Sequence, residues 1–373
     1  MKIAFFYLAQ QGGGAALDTY ELAVGLSKRS EVLCIVSSES DSYRVWAEEA
    51  ERNEHFRVIG VATTKSMLKG VLSALNYSKF HNVRKKINQF APDIIYSHMG
   101  HPWERLIIPY LKCKTVFKGI HDVKLHLGES TLMAKIIQYI TSCQSSFFVV
   151  FSNYSKISLM KQGIDEECIV QTTLGSLKRL RSKSEIDKKR YNRFLFFGRL
   201  IDYKGIGVLF DSLKSVFKTL PNVTLVMAGR GDISKYDEII KLYSGNIEIH
   251  NKWIPDEDIP KYFADIDFVV APYIDASQSG VVVLSYSYGK PVVVSDSGGL
   301  PEQVKDKETG LIVKKNDSKA ISEAIISLYS DNHRLEAMKE KAFDYSEEVS
   351  WDTSANILFE GINQKVGALH KEV

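Results

Sequence analysis

The chain has 373 residues, 45% hydrophobic and 25% charged, so its composition excludes a disordered protein and its length favours two domains of about 150 residues or more. Its 48 basic and 45 acidic residues give a net charge of +3, too small to indicate nucleic-acid binding, and we expect no nucleic-acid partner. Its four cysteines lie far apart with no CxxC pair, which is typical of reduced thiols in a cytosolic protein.

The first residues are apolar, but they run into Gln-Gln-Gly-Gly-Gly at residues 10–14 with no cleavage pattern, so we expect no signal peptide. No stretch approaches about 18 uncharged apolar residues, so we expect no membrane-spanning helix. We therefore expect a cytoplasmic protein and leave open its peripheral attachment to the inner face of the membrane.

In the first half of the chain, short apolar segments alternate with segments of helical spacing. Helices are predicted over residues 15–28 and 66–90. The apolar segments are nearly continuous in Val, Ile and Phe, which is typical of a parallel sheet covered by helices on both faces. These strands are predicted at residues 3–7, 32–36, 56–61, 93–97, 115–120 and 147–151.

Residues 174–193 interrupt this alternation with eight basic residues against two acidic ones and few apolar residues. After them the alternation restarts. Strands are predicted at residues 194–197, 224–228, 247–250, 268–271, 291–295 and 310–313. Helices are predicted at residues 205–219, 233–243, 256–264, 280–288, 318–329 and 337–345.

The predicted fold class is α/β, with two Rossmann-like domains at residues 1–175 and 194–350 joined by a basic linker at 176–193. Two such domains would place a cleft between the carboxyl ends of their sheets, the edge at which ligands bind. Residues 351–370 are predicted to include one more helix, which comes too late for another βα unit. We expect this helix to return to the first domain.

Two polar turns in the second half follow predicted strands. In the first, a strand ends at Gly198, Arg199 follows, and Lys204 precedes a helix-opening glycine. Two cations at this position suit a diphosphate. Either cation alone can instead pair with acidic residues at the surface. In the second, the helix after residues 277–280 offers backbone amides to an anion, and Ser277 or Ser279 can cap it.

Five motifs follow one another over residues 198–313. They read Gly-Arg-Leu-x-x-x-Lys-Gly at 198–205, Ala-Gly-x-Gly at 228–231, Ala-Asp to Pro at 264–272, Gly-x-Pro-Val-Val to Gly-Gly-Leu-Pro-Glu at 289–302, and Thr-Gly to Val at 309–313. In order and spacing this set resembles the carboxyl-terminal domain of glycosyltransferase family 4, retaining enzymes of the GT-B fold. The first half resembles that family more loosely, at residues 13–14 with 21–23, 92–98 and 152–155.

The resemblance implies a retaining glycosyltransferase that moves a sugar from a nucleotide-diphosphate sugar of the UDP or GDP type. The implied acceptor is a glycan or a lipid-linked molecule, with surface polysaccharide assembly as the setting. The implied catalytic residues are His121, which would face the donor sugar, and Arg199 and Lys204, which would bind the diphosphate.

The resemblance also implies a larger set of residues that contact the donor. These are Gly13, Gly14, Gly198, Gly229, Trp253, Ile254, Ser277, Gln278, Ser279, Gly280, Val281, Ser285 and Glu302. His126 and Glu129, on the loop after His121, are the candidates on the acceptor side.

One departure from the family concerns two carboxylates. Many members carry a Glu that contacts the sugar and, eight positions later, a Glu that contacts the ribose; Ser277 and Ser285 stand there in this chain. Losing the charge-assisted part of such a hydrogen bond costs about 1–3 kcal/mol, which leaves the donor nucleotide open. The alternative function is a catalytically silent subunit that binds nucleotide sugars. A nucleotide-sugar 2-epimerase is less favoured, because it would need cleft carboxylates for acid–base work.

No metal site or other cofactor is expected. Asp265-Ile266-Asp267 has the D-x-D form of metal-dependent sugar transferases, but it precedes a strand instead of ending one, so we interpret it as a helix-to-strand junction. Positive charge from Arg199, Lys204 and a helix dipole would serve in place of a divalent ion.

A basic segment in the first half leaves two interpretations open. Apolar residues at 67–68, 71–72 and 75 are interleaved with basic ones: Lys65, Lys69, Lys79, Arg84, Lys85 and Lys86. Such a segment can dock on anionic lipid, or it can be a core-facing helix with a solvated basic side.

Overall fold

The computed structural model of the protein describes residues 1–10, 14–63, 77–123, 146–177 and 190–369. Within these ranges the chain forms two compact units. Unit 1 contains the described residues up to 173 together with 351–369, and unit 2 contains the described residues from 174 to 350. No helix in these ranges combines the length and the apolar character needed to cross a membrane.

Unit 1 is built on a parallel sheet whose strand order is β3-β2-β1-β4-β5-β6-β7. Its strands are β1 (Lys2–Tyr7), β2 (Glu31–Ser37), β3 (Phe56–Val61), β4 (Ile94–Ser97), β5 (Val116–Ile120), β6 (Phe147–Val150) and β7 (Ile169–Gln171). The central strands are buried on both faces, as their near-continuous apolar sequences predict.

The described helices of unit 1 are α1 (Gly14–Ser27), α2 (Tyr43–Arg52), α3 (Tyr77–Phe90), α4 (Glu104–Ile107), α5 (Asn153–Met160) and the last helix of the chain, α12 (Trp351–Leu369). Helix α12 packs against α1 at Gly25, where a Cβ atom would lie 2.6 Å from the Ala355 Cβ. The Arg29 Nη1 donates to the Asp352 Oδ1 at 2.9 Å beside this contact. Helix α12 therefore lies in unit 1.

Unit 2 repeats the architecture with the strand order β10-β9-β8-β11-β12-β13, again all parallel. Its strands are β8 (Arg193–Phe197), β9 (Thr224–Gly229), β10 (Ile247–Asn251), β11 (Phe268–Ala271), β12 (Val292–Ser295) and β13 (Gly310–Val313). Its helices are α6 (Ile206–Thr219), α7 (Asp237–Leu242), α8 (Ile259–Ala264), α9 (Gly280–Ser287), α10 (Ser318–Ser330) and α11 (Asn332–Glu348). Both strand orders match the doubly wound pattern.

The predicted α/β class with two Rossmann-like sheets is confirmed, and several elements differ from the prediction. Strand β7 and helices α2, α4 and α5 were not predicted, and β7 has only three residues. Helix α11 begins five residues before the predicted helix at 337, because the Asp331 side chain accepts from the Arg334 amide at 3.0 Å and caps it.

The ends of the predicted linker at 176–193 are part of unit 2. The Ser176 amide donates to the Val349 carbonyl at 2.7 Å, and the Leu177 amide donates to the Ser287 Oγ at 3.0 Å. At the other end, the Tyr191 amide donates to the Asp267 Oδ1 at 3.0 Å. Residues 178–189, the centre of the predicted linker, lie outside the described residues.

Candidate active site

The order of the strands in unit 2 indicates where a ligand would bind. Strands β8 and β11 are neighbours, but the chain leaves β8 toward β9 on one side and β11 toward β12 on the other. Ligands of doubly wound sheets bind outside the carboxyl ends of the two strands at this switch point. In this unit the loops after β8 and β11 meet there.

Lys204 occupies this switch point. It ends a short 3-10 turn (Asp202–Lys204), and its ammonium donates to the Tyr273 Oη at 3.1 Å, which links the two loops. Gly198 has φ +105°, and a Cβ atom there would lie 3.0 Å from the Lys204 Nζ. Gly205 has φ +73°, and a Cβ atom there would lie 1.9 Å from the Pro272 carbonyl oxygen. The two glycines of the motif therefore let the loops approach each other.

The charge of Lys204 is poorly compensated by the protein. The residue is only 9% exposed, and among the residues that the structure describes no carboxylate lies within salt-bridge distance of its ammonium. The nearby Asp202 pairs with Lys235 instead. A buried cation is costly unless an anion accompanies it, so this position favours binding of an anionic ligand.

Arg199 lies at the surface beside the same turn. Its Nη2 donates to the Tyr203 Oη at 2.8 Å, and its guanidinium lies 5.9 Å from the centre of the Tyr203 ring. Tyr203 itself is buried. This contact holds an exposed guanidinium beside the turn.

Helix α9 begins next to Lys204. The Cγ2 of Val281, in its first turn, lies 3.7 Å from the position of a Cβ atom on Gly198. The first-turn amides of Gly280 and Val281 have no acceptors within the helix and add partial positive charge. Lys204 and the start of α9 thus present positive charge to one place at the edge of the sheet.

The turn before α9 is held by a residue that the sequence analysis did not single out. The Ser279 amide donates to the Gln303 Oε1 at 2.7 Å, and the Gln303 Nε2 donates to the Ser279 carbonyl at 3.1 Å. The side-chain cap stays a prediction for Ser277 and is wrong for Ser279, which occupies the N-cap position of α9 but makes no capping bond. Because its amide serves Gln303, that amide is not available to a phosphate.

The other predicted residues of this turn have different surroundings. Ser277 is buried, as is Ser285 in the middle of α9. The Ser285 Oγ donates to the Lys290 carbonyl at 2.7 Å, which ties α9 to the start of β12. The Ser285 hydroxyl can still accept a hydrogen bond while it donates this one, and its predicted ribose contact stays a prediction. Gln278 lies in the same turn.

A pocket lies beyond the ends of β9 and β10. Its lining residues are Arg230, Gly231, Asp232, Asn251, Lys252 and Trp253. The Leu200 amide donates to the Arg230 carbonyl at 2.9 Å, so the pocket adjoins the loop of Arg199. Gly229, with φ +150°, permits this contact, because a Cβ atom there would lie 1.8 Å from the Gly198 carbonyl oxygen.

Of the two residues predicted to face the base, one lines this pocket. Trp253 is 55% exposed, an unusual position for so large an apolar ring, whereas Ile254 is buried. Glu302, predicted to contact the donor, is exposed on the 3-10 turn Leu300–Gln303 after the glycine pair.

The D-x-D segment has a structural role. Asp267 is completely buried, pairs with Lys339 at 3.1 Å and accepts the amides of Tyr191 and Arg193. These contacts agree with the interpretation of a helix-to-strand junction. Across the described ranges, no three His, Cys, Asp or Glu residues are grouped so that they could hold a metal ion. Metal independence stays a prediction.

In unit 1, the predicted catalytic His121 follows β5 and contacts a second histidine. Its Nε2 lies 2.7 Å from the Nε2 of His98, which follows the neighbouring strand β4 and is completely buried. The Phe151 ring stacks on His121 with centroids 4.6 Å apart. Burial lowers the pKa of His121 and lowers that of His98 well below its usual value, so both rings are neutral at pH 7.

A buried polar cluster lies beside these histidines. The Ser97 Oγ donates to the Glu104 Oε2 at 2.7 Å, and the Lys118 Nζ donates to the Ser97 Oγ at 3.2 Å. The Lys118 and Glu104 charges are 3.9 Å apart. Burial raises the pKa of Glu104 and lowers that of Lys118. The cluster joins β4, β5 and the short helix α4.

The remaining predicted residues of unit 1 lie at the surface or outside the described ranges. Gly14 is the first residue of α1 and is exposed, and a Cβ atom there would meet nothing within 4 Å. The residues outside the described ranges are Gly13, His126, Glu129, Lys65 and Lys69. In the described part of the basic segment, the apolar side of α3 packs into the core of unit 1 through Phe80, Val83, Ile87 and Phe90. Docking on lipid stays a prediction.

The part of unit 2 that carries Lys204 is similar to a known protein family. Residues 191–331 match the family described as Glycosyl transferases group 1. This part of the chain is similar to a group 1 glycosyltransferase domain. It contains the Gly198–Gly205 loop, the start of α9 and the pocket at Trp253.

Two relatives extend the comparison. The chain is 24% identical over 345 residues to an uncharacterized 41.2 kDa protein in the cps region of Klebsiella pneumoniae, an alignment that covers 88% of this chain and 91% of that protein. It is 31% identical over 152 residues to a GDP-mannose-dependent alpha-(1-6)-phosphatidylinositol monomannoside mannosyltransferase of Mycolicibacterium smegmatis, covering 38% of this chain and 39% of that enzyme.

A solved structure has a similar fold. The crystal structure of Anabaena HepE in complex with UDP-glucose matches with a TM-score of 0.70 and 18% identity over all of both chains. Similarity at this identity establishes the fold, which is the GT-B fold predicted from the motifs. The family 4 assignment is finer than the group 1 match and stays a prediction.

Within residues 191–331, Tyr273 and Gln303 were not predicted as site residues. Tyr273 directly follows the Ala-Asp to Pro motif. Its position just after a predicted strand is the sequence feature that could have indicated it as a site residue. Gln303 directly follows the Gly-Gly-Leu-Pro-Glu run, but its contact with Ser279 spans 24 residues and has no sequence pattern. In unit 1, His98 lies in the loosely matching segment 92–98, and no role was predicted for it.

Proposed function

We propose that the protein is a retaining glycosyltransferase of family 4 that moves a sugar from a nucleotide-diphosphate sugar to a glycan or lipid-linked acceptor. The observation that carries the proposal is the buried Lys204 ammonium at the switch point of a group 1 domain, beside the start of α9. A diphosphate is the part of such a donor that this positive charge would bind.

The role proposed for Lys204 is to stabilise the leaving group. When the bond between the anomeric carbon and the phosphate oxygen breaks, negative charge builds on the departing diphosphate. A fixed ammonium and first-turn amides aimed at that charge stabilise the transition state without reorganisation. Tyr273 holds the ammonium in place, and Arg199 adds a second cation from the surface.

The retaining outcome rests on the resemblance to family 4. The acceptor oxygen would bond to the anomeric carbon on the face that the phosphate leaves, and the acceptor proton would pass to the departing phosphate. His121, neutral because of its burial, would hydrogen-bond the donor sugar without adding charge. No metal step is part of the proposal.

The nucleoside is proposed to occupy the pocket at Trp253. The pocket adjoins the Arg199 loop, which places it next to the proposed diphosphate position. An exposed indole offers an apolar face to a base. Names of similar proteins support two donor classes, UDP-glucose for HepE and GDP-mannose for the mycobacterial enzyme, and the role in surface polysaccharide assembly rests on the resemblance to family 4.

The test is a thermal-shift screen of the full chain against UDP, GDP, UMP and GMP, followed by assays for nucleotide release from UDP- and GDP-sugars. One nucleoside diphosphate should raise the melting temperature more than its monophosphate, and a ligand at 100 times its Kd stabilises by about 2.7 kcal/mol. The matching sugar nucleotide should release free nucleotide. If no diphosphate shifts the melting temperature, the proposal is wrong.

The same assays address the silent-subunit alternative. Binding of a nucleoside diphosphate without nucleotide release from any sugar donor, with cell extract supplied as a source of acceptors, would favour that alternative. The missing carboxylates at Ser277 and Ser285 are the observation that keeps it in the test.

A further inference from the structure

Three side chains of unit 1 form a hydrogen-bonded row that starts in the sheet and ends at His121. The Tyr96 Oη, in β4, lies 3.1 Å from the His98 Nδ1, and the His98 Nε2 lies 2.7 Å from the His121 Nε2. Tyr96 and His98 are completely buried, whereas His121 is half-buried at the end of β5. The row therefore runs from the core to the carboxyl edge of the sheet.

The position of each proton along the row follows from the donors and acceptors. Within the described residues, the Tyr96 hydroxyl has one hydrogen-bond partner, the His98 Nδ1, so its proton points to that nitrogen. A neutral imidazole that accepts at Nδ1 carries its own proton on Nε2. His98 then donates to the His121 Nε2, and His121 must carry its proton on Nδ1.

The residues around His98 and His121 favour one protonation state and one tautomer of each ring. Lys118 adds a positive charge that, with burial, disfavours protonation of His98, and Asp122 only partly offsets the burial of His121. Phe151 lies nearly parallel to the His121 ring, at an interplanar angle of 22°, which limits rotation of that ring. A tyrosine hydroxyl, a buried imidazole and a stacked ring together define one tautomer.

We propose that Tyr96 and His98 are positioning residues that hold His121 as the Nδ1–H tautomer, so that His121 acts on its ligand as a hydrogen-bond donor. With the function proposed above, on which this last step rests, the ligand is an oxygen of the donor sugar. His98 thereby determines which His121 nitrogen is a donor.

The test reads the tautomer directly. Long-range 1H–15N spectra of the full chain labelled with 15N-histidine distinguish a protonated from an unprotonated ring nitrogen, and a His121→Asn variant assigns the His121 signals. We expect a protonated Nδ1 and an unprotonated Nε2 for His121. An Nε2–H tautomer of His121 in the unaltered protein would overturn the proposal.

Variants test whether His98 and Tyr96 cause this state. His98→Leu removes the donor and should give a mixture of His121 tautomers, whereas the side-chain amide in His98→Gln can still donate and should restore the Nδ1–H form. Tyr96→Phe, which removes one oxygen and is the milder change to the core, should also give a mixture. Unchanged His121 spectra in both His98→Leu and Tyr96→Phe would contradict the proposal.

Kinetics give a second readout, separate from the first. If the protein releases nucleotide from a sugar donor, kcat should fall about tenfold in His98→Leu and recover in His98→Gln. Equal kcat values in the two variants would refute the part of the proposal that concerns the sugar. The spectra need no substrate, so a failure of the proposed function leaves the result on the tautomer standing.

Discussion

The carboxyl edges of the two sheets carry different chemistry. In unit 2 the edge presents a buried ammonium, an exposed guanidinium and the start of a helix, all of positive character. In unit 1 the edge presents two histidines that burial keeps neutral, with an ion pair enclosed beside them. The first arrangement suits charge that must be neutralised, and the second suits hydroxyl groups that must be oriented.

The difference between the two edges shows which structural features produce a recognisable sequence motif. In unit 2, the candidate site depends on glycines at positive φ and on the cations Arg199 and Lys204, which lie at fixed distances along the chain. In unit 1, it depends on rings brought together from three neighbouring strands. The motif is therefore strict in the second half of the chain and loose in the first.

The largest expected effect is a difference in nucleotide release between variants of two buried lysines of unit 2, Lys204 and Lys290. Lys204 has the Tyr273 hydroxyl as partner, whereas Lys290 donates to the Ile266 carbonyl at 2.7 Å. Lys204→Met should lower nucleotide release about 10²–10³-fold, as expected for a lost charge-stabilising group, and should leave stability unchanged or higher because it removes a poorly compensated buried charge. Nucleotide release and urea unfolding measure both effects.

Lys290→Met is the matched control. It leaves a buried carbonyl without its donor and should cost about 1–3 kcal/mol of unfolding free energy, with turnover per folded molecule retained. A Lys204→Met protein that loses stability but keeps its activity would assign Lys204 a structural role and remove the contrast between the two edges.

A second prediction concerns acid sensitivity in unit 1. His101 is largely buried, and burial lowers its pKa to about 4 from a usual value of 6.5. Between these values the unfolded chain binds a proton that the folded chain does not, so stability falls as pH falls below 6.5. At pH 5 this amounts to about 2 kcal/mol. His101→Asn should reduce the loss of unfolding free energy between pH 7 and pH 5 by that amount.

Tryptophan fluorescence during urea unfolding can measure this, because Trp46, Trp103 and Trp351 all lie in unit 1. The matched control is His333→Asn in unit 2, which removes an exposed histidine instead of a largely buried one. Comparing each variant with the parent chain cancels the contributions of other buried groups. Equal acid sensitivity in His101→Asn and the parent would show that the environment of His101 does not separate the two units.

Much of the fold was predictable, because strands buried on both faces must be apolar along their whole length. That rule located twelve of the thirteen strands within the described residues. The missed strand, β7, has three residues, too few to produce a pattern. The return of the last helix was expected from its position in the chain, but its contact at Gly25 depends on packing between helices 330 residues apart, for which no local pattern exists.

The candidate site was predictable where its chemistry is local. Gly198, Lys204 and Gly205 follow one another in a short motif, and the structure brings them together with the loop after β11. Ser279 makes no side-chain cap, and a distant side chain, Gln303, holds that turn through the Ser279 backbone. The partner of His121 was not predicted because His98 comes from a different strand, 23 residues earlier.

The smallest expected effect concerns Gln303, whose side chain holds the turn before α9 at the edge of unit 2. Gln303→Leu removes both hydrogen bonds to the Ser279 backbone, so the turn before α9 should loosen and the KM for the sugar donor should rise about tenfold, with kcat less affected. Gln162→Leu makes the same change at an exposed helix end of unit 1, where the side chain donates to the Ser158 carbonyl, and should leave KM unchanged. A tenfold loss of kcat at constant KM in Gln303→Leu would contradict this prediction. It would mean that the turn acts only in the transition state, as proposed for Lys204. The turn and Lys204 would then act together in catalysis, instead of the turn binding the donor and Lys204 stabilising the transition state.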